Sequence, residues 1–142
     1  MTQENTKLIA QELGSRLSYG VKIRVNDKIE IVEGINILDN IVEFGTYMAC
    51  DIDEVKPYLL PMSSMTDEML EEINTNGFFK YRDTIANVSH LESNGKVSEE
   101  IYTYIDIENI SFLMEFFYSH HIDFRGLIEK GLAIDATGLG IY

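Results

Sequence analysis

The chain has 142 residues, 45% of them apolar and 11% aromatic, with one cysteine and a formal charge of −13 from 24 acids and 11 bases. Its length is that of one domain able to bury about 70% of its unfolded surface, and no run reaches the ~18 apolar residues of a membrane helix. The acidic balance excludes a broad electrostatic grip on nucleic-acid backbones, and a lone cysteine excludes an internal disulfide.

The acids are spread in small groups, a pattern that reads first as solubility. Residues 1–7 lack the basic-then-apolar pattern of a secretory leader. The expected compartment is therefore the cytoplasm, with no membrane contact.

In chain order, Lys7–Leu17 places Leu8, Ile9, Ala10, Leu13 and Leu17 at helical spacing, with Thr2 or Thr6 as the cap and Tyr19-Gly20 as the stop. Val21–Val25 alternates apolar and basic residues as a half-buried strand does. Asn26-Asp27 is a two-residue turn, and Lys28–Val32 resumes the alternation. Ile35–Leu38, Ile41–Phe44 and Thr46–Ala49 follow, separated by Asp39-Asn40 and by a turn or bulge at Gly45. Four or five short strands in sequence imply an antiparallel meander, which curled on itself is a small SH3-like barrel. A sheet of that size needs a helix to cover it.

Cys50 follows Tyr47-Met48-Ala49 and reads as a buried structural thiol. Asp51-Ile52-Asp53-Glu54 begins like a calcium loop but lacks its glycine and its late glutamate, so a solvated strand end is expected. Pro57 and Pro61, the two prolines of the chain, bracket Tyr58-Leu59-Leu60 and hold it extended or in a single turn. This is the expected joint between a β unit over 1–61 and a mainly helical subdomain over 62–142, the two packed as one compact domain. Ser64 or Thr66 caps the next helix, which carries Asp67 and Glu68 in its first turn and ends at Asn74–Gly77. Phe78–Tyr81 fits strand or helix, and Ser93–Lys96 is a turn across which Ile101–Ile105 can pair. From Asp106 a helix presents Ile107, Ile110, Leu113, Met114 and Phe117, widened by Phe112 and Phe116. Asp123 then caps a helical turn over Arg125–Lys130, closed by Gly131.

Two blocks in this order carry a resemblance. One is Ile52-Asp53-Glu54-Val55-Lys56-Pro57-Tyr58-Leu59-Leu60-Pro61-Met62-Ser63-Ser64-Met65-Thr66. The other is Asp123-Phe124-Arg125-Gly126-Leu127-Ile128-Glu129-Lys130-Gly131-Leu132-Ala133-Ile134. With the helix ending in Leu17–Lys22, they cover roughly half the chain. The whole is similar to a family of short, uncharacterised proteins carried by phages and mobile elements of gut bacteria. The chain departs from the family pattern at Met69, where a capping-box acid is usual, and its middle is longer. The resemblance implies an origin and a role in phage–host conflict: binding a host protein, or trapping a small nucleotide signal.

Candidate chemistry is sparse. His120-His121 side chains diverge by about 100° on a helix, so a helix end with favourable partial cations is the expected reading rather than a metal site. Ser63-Ser64 lacks the glycines of a nucleophile elbow, and Gly138-Leu139-Gly140 lacks the third glycine of a dinucleotide loop. Arg125-Gly126 can grip a phosphate or carboxylate with a guanidinium fork, set against an ordinary ion pair with Asp123 or another acid. Tyr58, with Pro57 and Leu59, can offer an aromatic platform for a partner or a base, set against a plug between the β and helical parts. No paired-carboxylate or serine/cysteine–histidine grouping forms by proximity in sequence.

The expected fold is thus α+β: an N-terminal helix, a small antiparallel SH3-like β unit and a helical C-terminal half. The expected function is non-enzymatic binding by a phage or mobile-element accessory protein, directed at the bacterial host and acting as a homo-oligomer, without cofactor or metal. Its candidate contact residues are Lys56, Tyr58, Arg125 and Gly126. The alternatives are a sponge for a small nucleotide second messenger, an acidic decoy for a host DNA-binding protein, and a structural part of a particle.

Overall fold

The computed structural model describes residues 1–73 and 107–142, with the side chains of 107–110 left aside. They fall into two units, Met1–Leu60 with Arg125–Tyr142, and Pro61–Phe124. Residues 125–142, which the sequence assigns to the second half, thus group with the first.

In the first unit, α1 (Gln3–Arg16) begins at Thr2, whose hydroxyl accepts the Asn5 N–H at 3.1 Å. Glu4 in the first turn and Arg16 in the last both suit the helix dipole. A 3-10 turn, Leu17–Tyr19, ends on Gly20 at φ +71°, a conformation glycine adopts without strain. The inward face carries Ile9, Ala10, Leu13 and also Glu12 and Arg16. Leu17, expected on that stripe, is exposed. Arg16 holds the i+7 position from Ile9, so the helix's inward register passes Leu17 by.

The strands are β1 (Lys22–Val25), β2 (Lys28–Asn36), β3 (Ile41–Phe44), β4 (Met48–Asp51), β5 (Lys56–Pro61), β6 (Ile122–Asp123) and β7 (Ile134–Asp135). In the first unit the order is β4-β3-β2-β1-β5, antiparallel throughout. The late strand β7 pairs parallel to β5, with Tyr58 opposite Ile134. The expected strand over 35–38 is instead the end of β2 followed by a turn. The strand expected over 46–49 starts later, at Met48, because Gly45 and Tyr47 both take left-handed backbone (φ +55° and +64°). Register shifts between Val32 and Gly34. Before the shift β2 pairs with β1, and after it β2 pairs mainly with β3, so one long strand serves two partners.

Asn26 and Asp27 take φ +49° and +62°, the signs of a type I′ turn, which joins two strands without splaying them. The turn fixes Val25 opposite Lys28, Ile23 opposite Glu30, Arg24 opposite Ile29 and Lys22 opposite Ile31. Ile23 and Val25 are buried against α1 and the other strands. Ile29 and Ile31 therefore point the other way.

The main core joins Ile9 and Leu13 of α1 to Ile23, Val25, Val32, Val42, Phe44, Ile52 and Leu59, and to Leu127, Leu132 and Ala133 from the late segment. Between β4 and β5 the 3-10 turn Ile52–Glu54 is held by a capping box, with Asp51 and Glu54 each bonding the other's backbone. Asp51 is the exposed last residue of β4, the solvated strand end that the sequence suggests, and it also caps the turn. Tyr58 lies in a second cluster with Ala136 and Ile141, flanked by Leu60 and Ile134. β5 is consequently covered on both faces, which accounts for its unbroken apolar run.

Beyond Ile23 opposite Pro57, β1 and β5 part. The Tyr142 hydroxyl fills the gap: it accepts the Lys22 N–H at 2.9 Å and donates to the Tyr58 carbonyl at 2.8 Å. Lys22 Nζ donates to the Ile141 carbonyl at 2.6 Å and sits 5.6 Å from the Tyr142 ring centre, within cation–π range.

In the second unit, the turn Met62–Ser64 leads to α2 (Asp67–Glu72). Thr66 caps it, its hydroxyl accepting the Met69 N–H at 3.2 Å. In α3 (Ile107–Ser119) Phe116 stacks on His120 at 4.0 Å, and Phe117 lies 5.2 Å from Phe124. The readings at 74–81 and 93–105 lie outside the described residues.

The helical C-terminal half is present only as α2 and α3 among the described residues. The segment 125–142 is built of turns and β7. Its physical reason is local: Gly126 and Gly131 both take φ above +70°, leaving too few residues between them to propagate a helix.

Burial pushes the Tyr142 phenol up to about 12 from 10.0, against the lowering pull of the Lys22 backbone bond and the Arg16 charge. The folded chain thus holds this proton more tightly than the unfolded chain. Its contribution is whole below about pH 10 and is lost as pH rises toward 12. Denaturant titrations across this window should show wild-type stability falling relative to Tyr142→Phe. At neutral pH the variant should be about 1–2 kcal/mol less stable, having lost the hydroxyl bridge.

Candidate functional site

The outward face of the β1–β2–β5 sheet is built by the two-residue turn. Across it, Arg24 lies opposite both Lys56 and Ile29, and Lys22 lies opposite Ile31. Ile29 and Ile31 are each 52% exposed, Arg24 is exposed and Lys56 half-buried. Cations directly opposite each other on neighbouring strands repel. An apolar pair beside such cations is an uncommon surface in a chain of net charge −13. Farther along the same face of β5, Tyr58 and Leu60 are covered by Ala136, Ile134 and Ile141. The chain's own late segment thus uses one end of the face as a packing surface and stops short of Ile29 and Ile31.

A second feature of the first unit is an open groove of about 1050 Å³ between the start of α1, the β2–β3 turn and the 3-10 turn before β5. Glu4, Asp39, Asp51 and Asp53 line it, with Ile37, Gln3, Gln11 and the cation Lys7. Thr6 Oγ1 donates to Asp53 Oδ1 at 2.7 Å and ties helix to turn. Ile37 is 68% and Leu38 94% exposed on the β2–β3 turn.

The third feature is electrostatic. Arg16 Nε and a terminal guanidinium nitrogen reach Glu12 Oε2 at 2.9 and 2.8 Å. Arg125 Nε approaches Glu12 Oε1 at 2.5 Å, a charge contact rather than an aligned hydrogen bond. Glu12 and Arg16 are fully buried, and the Arg125 side chain is 25% exposed. One carboxylate between two guanidiniums ties α1 to the late segment. Sequence reasoning missed Glu12 and Arg16, although their i,i+4 spacing on the face of Ile9 and Leu13 is a readable signal.

The four residues singled out in sequence therefore separate. Lys56 belongs to the outward sheet face. Tyr58 is buried, its ring committed to the second cluster, so it offers no stacking platform in this conformation. Arg125 is engaged by Glu12. Gly126 has open space where a Cβ would stand, and its φ of +75° accounts for the glycine. His120 Nδ1 lies 2.9 Å from the Phe116 carbonyl at the end of α3. Among the described residues no group of three or more His, Cys, Asp or Glu side chains is placed to hold a metal, and no helix is long and apolar enough to cross a membrane. Cys50 is half-buried rather than buried as the sequence suggests; it packs against the edge of the main core, where burial and then the charges of Glu54 and Asp51 push its thiol up.

No protein-family model, curated protein or solved structure matches the chain.

Replacing Glu12 by Ala leaves two guanidiniums facing each other in or beside the core, and the expected loss is about 3–5 kcal/mol in equilibrium unfolding. The Cys50 thiol, held protonated, should react with iodoacetamide more slowly at pH 7.5 than an unstructured cysteine peptide, the gap closing on denaturation.

Proposed function

We propose that the protein is a non-enzymatic binding module whose contact surface is the outward face of β1, β2 and β5. The observation that carries this reading is the inverted hairpin. β2 turns its isoleucines at 29 and 31 to solvent, while Lys28 and Glu30 share the side of Ile23 and Val25. Local pattern and tertiary placement disagree there, as they do where a surface serves a partner.

The strand order β4-β3-β2-β1-β5, with a 3-10 turn before the last strand, is in keeping with an SH3-like barrel. That scaffold hosts many unrelated functions, so the site and not the fold carries the argument. The resemblance of the 52–66 and 123–134 blocks to phage and mobile-element proteins supports an accessory role in the host cytoplasm, directed at a host protein.

The test is capture of partners from host lysate by the tagged protein, read by native mass spectrometry, with Ile29→Asp/Ile31→Asp beside wild type. A partner held by wild type should be lost by the variant at least about tenfold, because each buried isoleucine contributes about 1.5–3 kcal/mol. Equal capture by both proteins sinks the surface. Turnover of a nucleotide or peptide, abolished by changing one acid or histidine, sinks the non-enzymatic reading.

A further inference from the structure

We infer that the outward sheet face docks into the acidic groove of a second copy of this chain, giving head-to-tail self-association. The inference rests on the reading of that face as a contact surface and gives it a second occupant, one that competes with a host partner for the same residues.

The two surfaces are complementary in kind. The face presents Arg24 and Lys56 beside Ile29 and Ile31. The groove presents Glu4, Asp39, Asp51 and Asp53 beside Ile37, with Leu38 on the same turn. Each joins an exposed aliphatic pair to charges of one dominant sign, and the signs are opposite.

They also lie apart on one unit. Ile29 is near the start of β2 and Ile37 just past its end, so along an extended strand they stand roughly 25 Å from each other. The face therefore cannot fill its own groove.

A two-fold contact of face with face is disfavoured, because it gathers the cations of both copies around one axis. Face with groove instead sets Arg24 and Lys56 among four carboxylates, which outnumber the groove's own Lys7. The repulsion between these cross-strand cations is relieved by the acids of the neighbour. Such a contact uses different patches on the two copies, so one copy is left with an unused groove and the other with an unused face. The products are rings or open chains rather than a closed dimer. The net charge of −13 opposes the approach of any two copies, which places the association at high protein concentration.

The experiment pairs two charge-swapped full-length proteins. Arg24→Glu/Lys56→Glu reverses the face. Gln3→Lys/Gln11→Lys puts cations into the groove at exposed helix positions. Circular dichroism melts establish that both fold, and Arg24→Glu alone replaces the first if the double variant does not.

In sedimentation velocity over a concentration series, wild type should form species larger than a dimer. Each variant alone should remain monomeric. Mixed one to one, they should associate again, because the first keeps an intact groove and the second an intact face, the pair of surfaces that wild type uses. A wild type monomeric throughout, a wild type that stops at dimer, or a mixture that stays monomeric overturns the inference. If Ile29→Asp/Ile31→Asp still abolishes capture of a host partner in any of those cases, the face remains a contact surface and only its second occupant is wrong.

Discussion

The structure of the first unit depends on a two-residue turn. Asn26 and Asp27 both accept left-handed backbone, and a turn of that length leaves no slack in the pairing of β1 with β2. A slip of one residue would send every side chain of a strand to the opposite face. Because the turn permits no slip, Ile23 and Val25 reach α1 while Ile29 and Ile31 face solvent. The basic residues of β1 then lie beside those isoleucines. The core, the contact surface and its charge all follow from one choice of register.

The second determinant is the way α1 is held. An ordinary amphipathic helix would close this sheet with aliphatic side chains alone. Here two of the inward positions are Glu12 and Arg16, and Arg125 arrives from a distant part of the sequence to share the carboxylate. Ion pairs removed from water contribute little net stability compared with well-packed aliphatics, but they tolerate few alternative arrangements. In this unit the arrangement specifies where the late segment sits on the helix. The Tyr142 hydroxyl does the same between β1 and β5, standing in for a ladder bond between strands that have begun to separate.

Much of this was legible in the sequence. The turn at Asn26-Asp27, the meander and two helix caps follow from local chemistry, where a short side chain or a tolerated φ decides the outcome; between Thr2 and Thr6, and between Ser64 and Thr66, the structure makes the choice, for Thr2 and Thr66. The direction of β2 was not legible from alternation alone. Lys28–Val32 alternates convincingly, yet its parity is set by the turn and its partner strand. The late segment was misread as helical because Asp123 and Leu127-Ile128 mimic a capped turn, while the two glycines that break it also look like ordinary helix stops. Of the candidate site residues, Lys56 falls on the proposed surface, whereas Tyr58 and Arg125 are drawn into packing by residues more than forty positions away. Sequence proximity carries no information about partners that distant.

The first unit is also discontinuous. Its sheet and helix come from 1–60 and its closing segment from 125–142, with the whole of Pro61–Phe124 inserted between them. Leu127, Leu132 and Ala133 are core residues of a unit whose other members are long since synthesised when they emerge. A chain cleaved once within 61–124 would hold its two terminal pieces together by burial, the Glu12 contact and the Tyr142 bridge, and should co-elute as one particle until denatured.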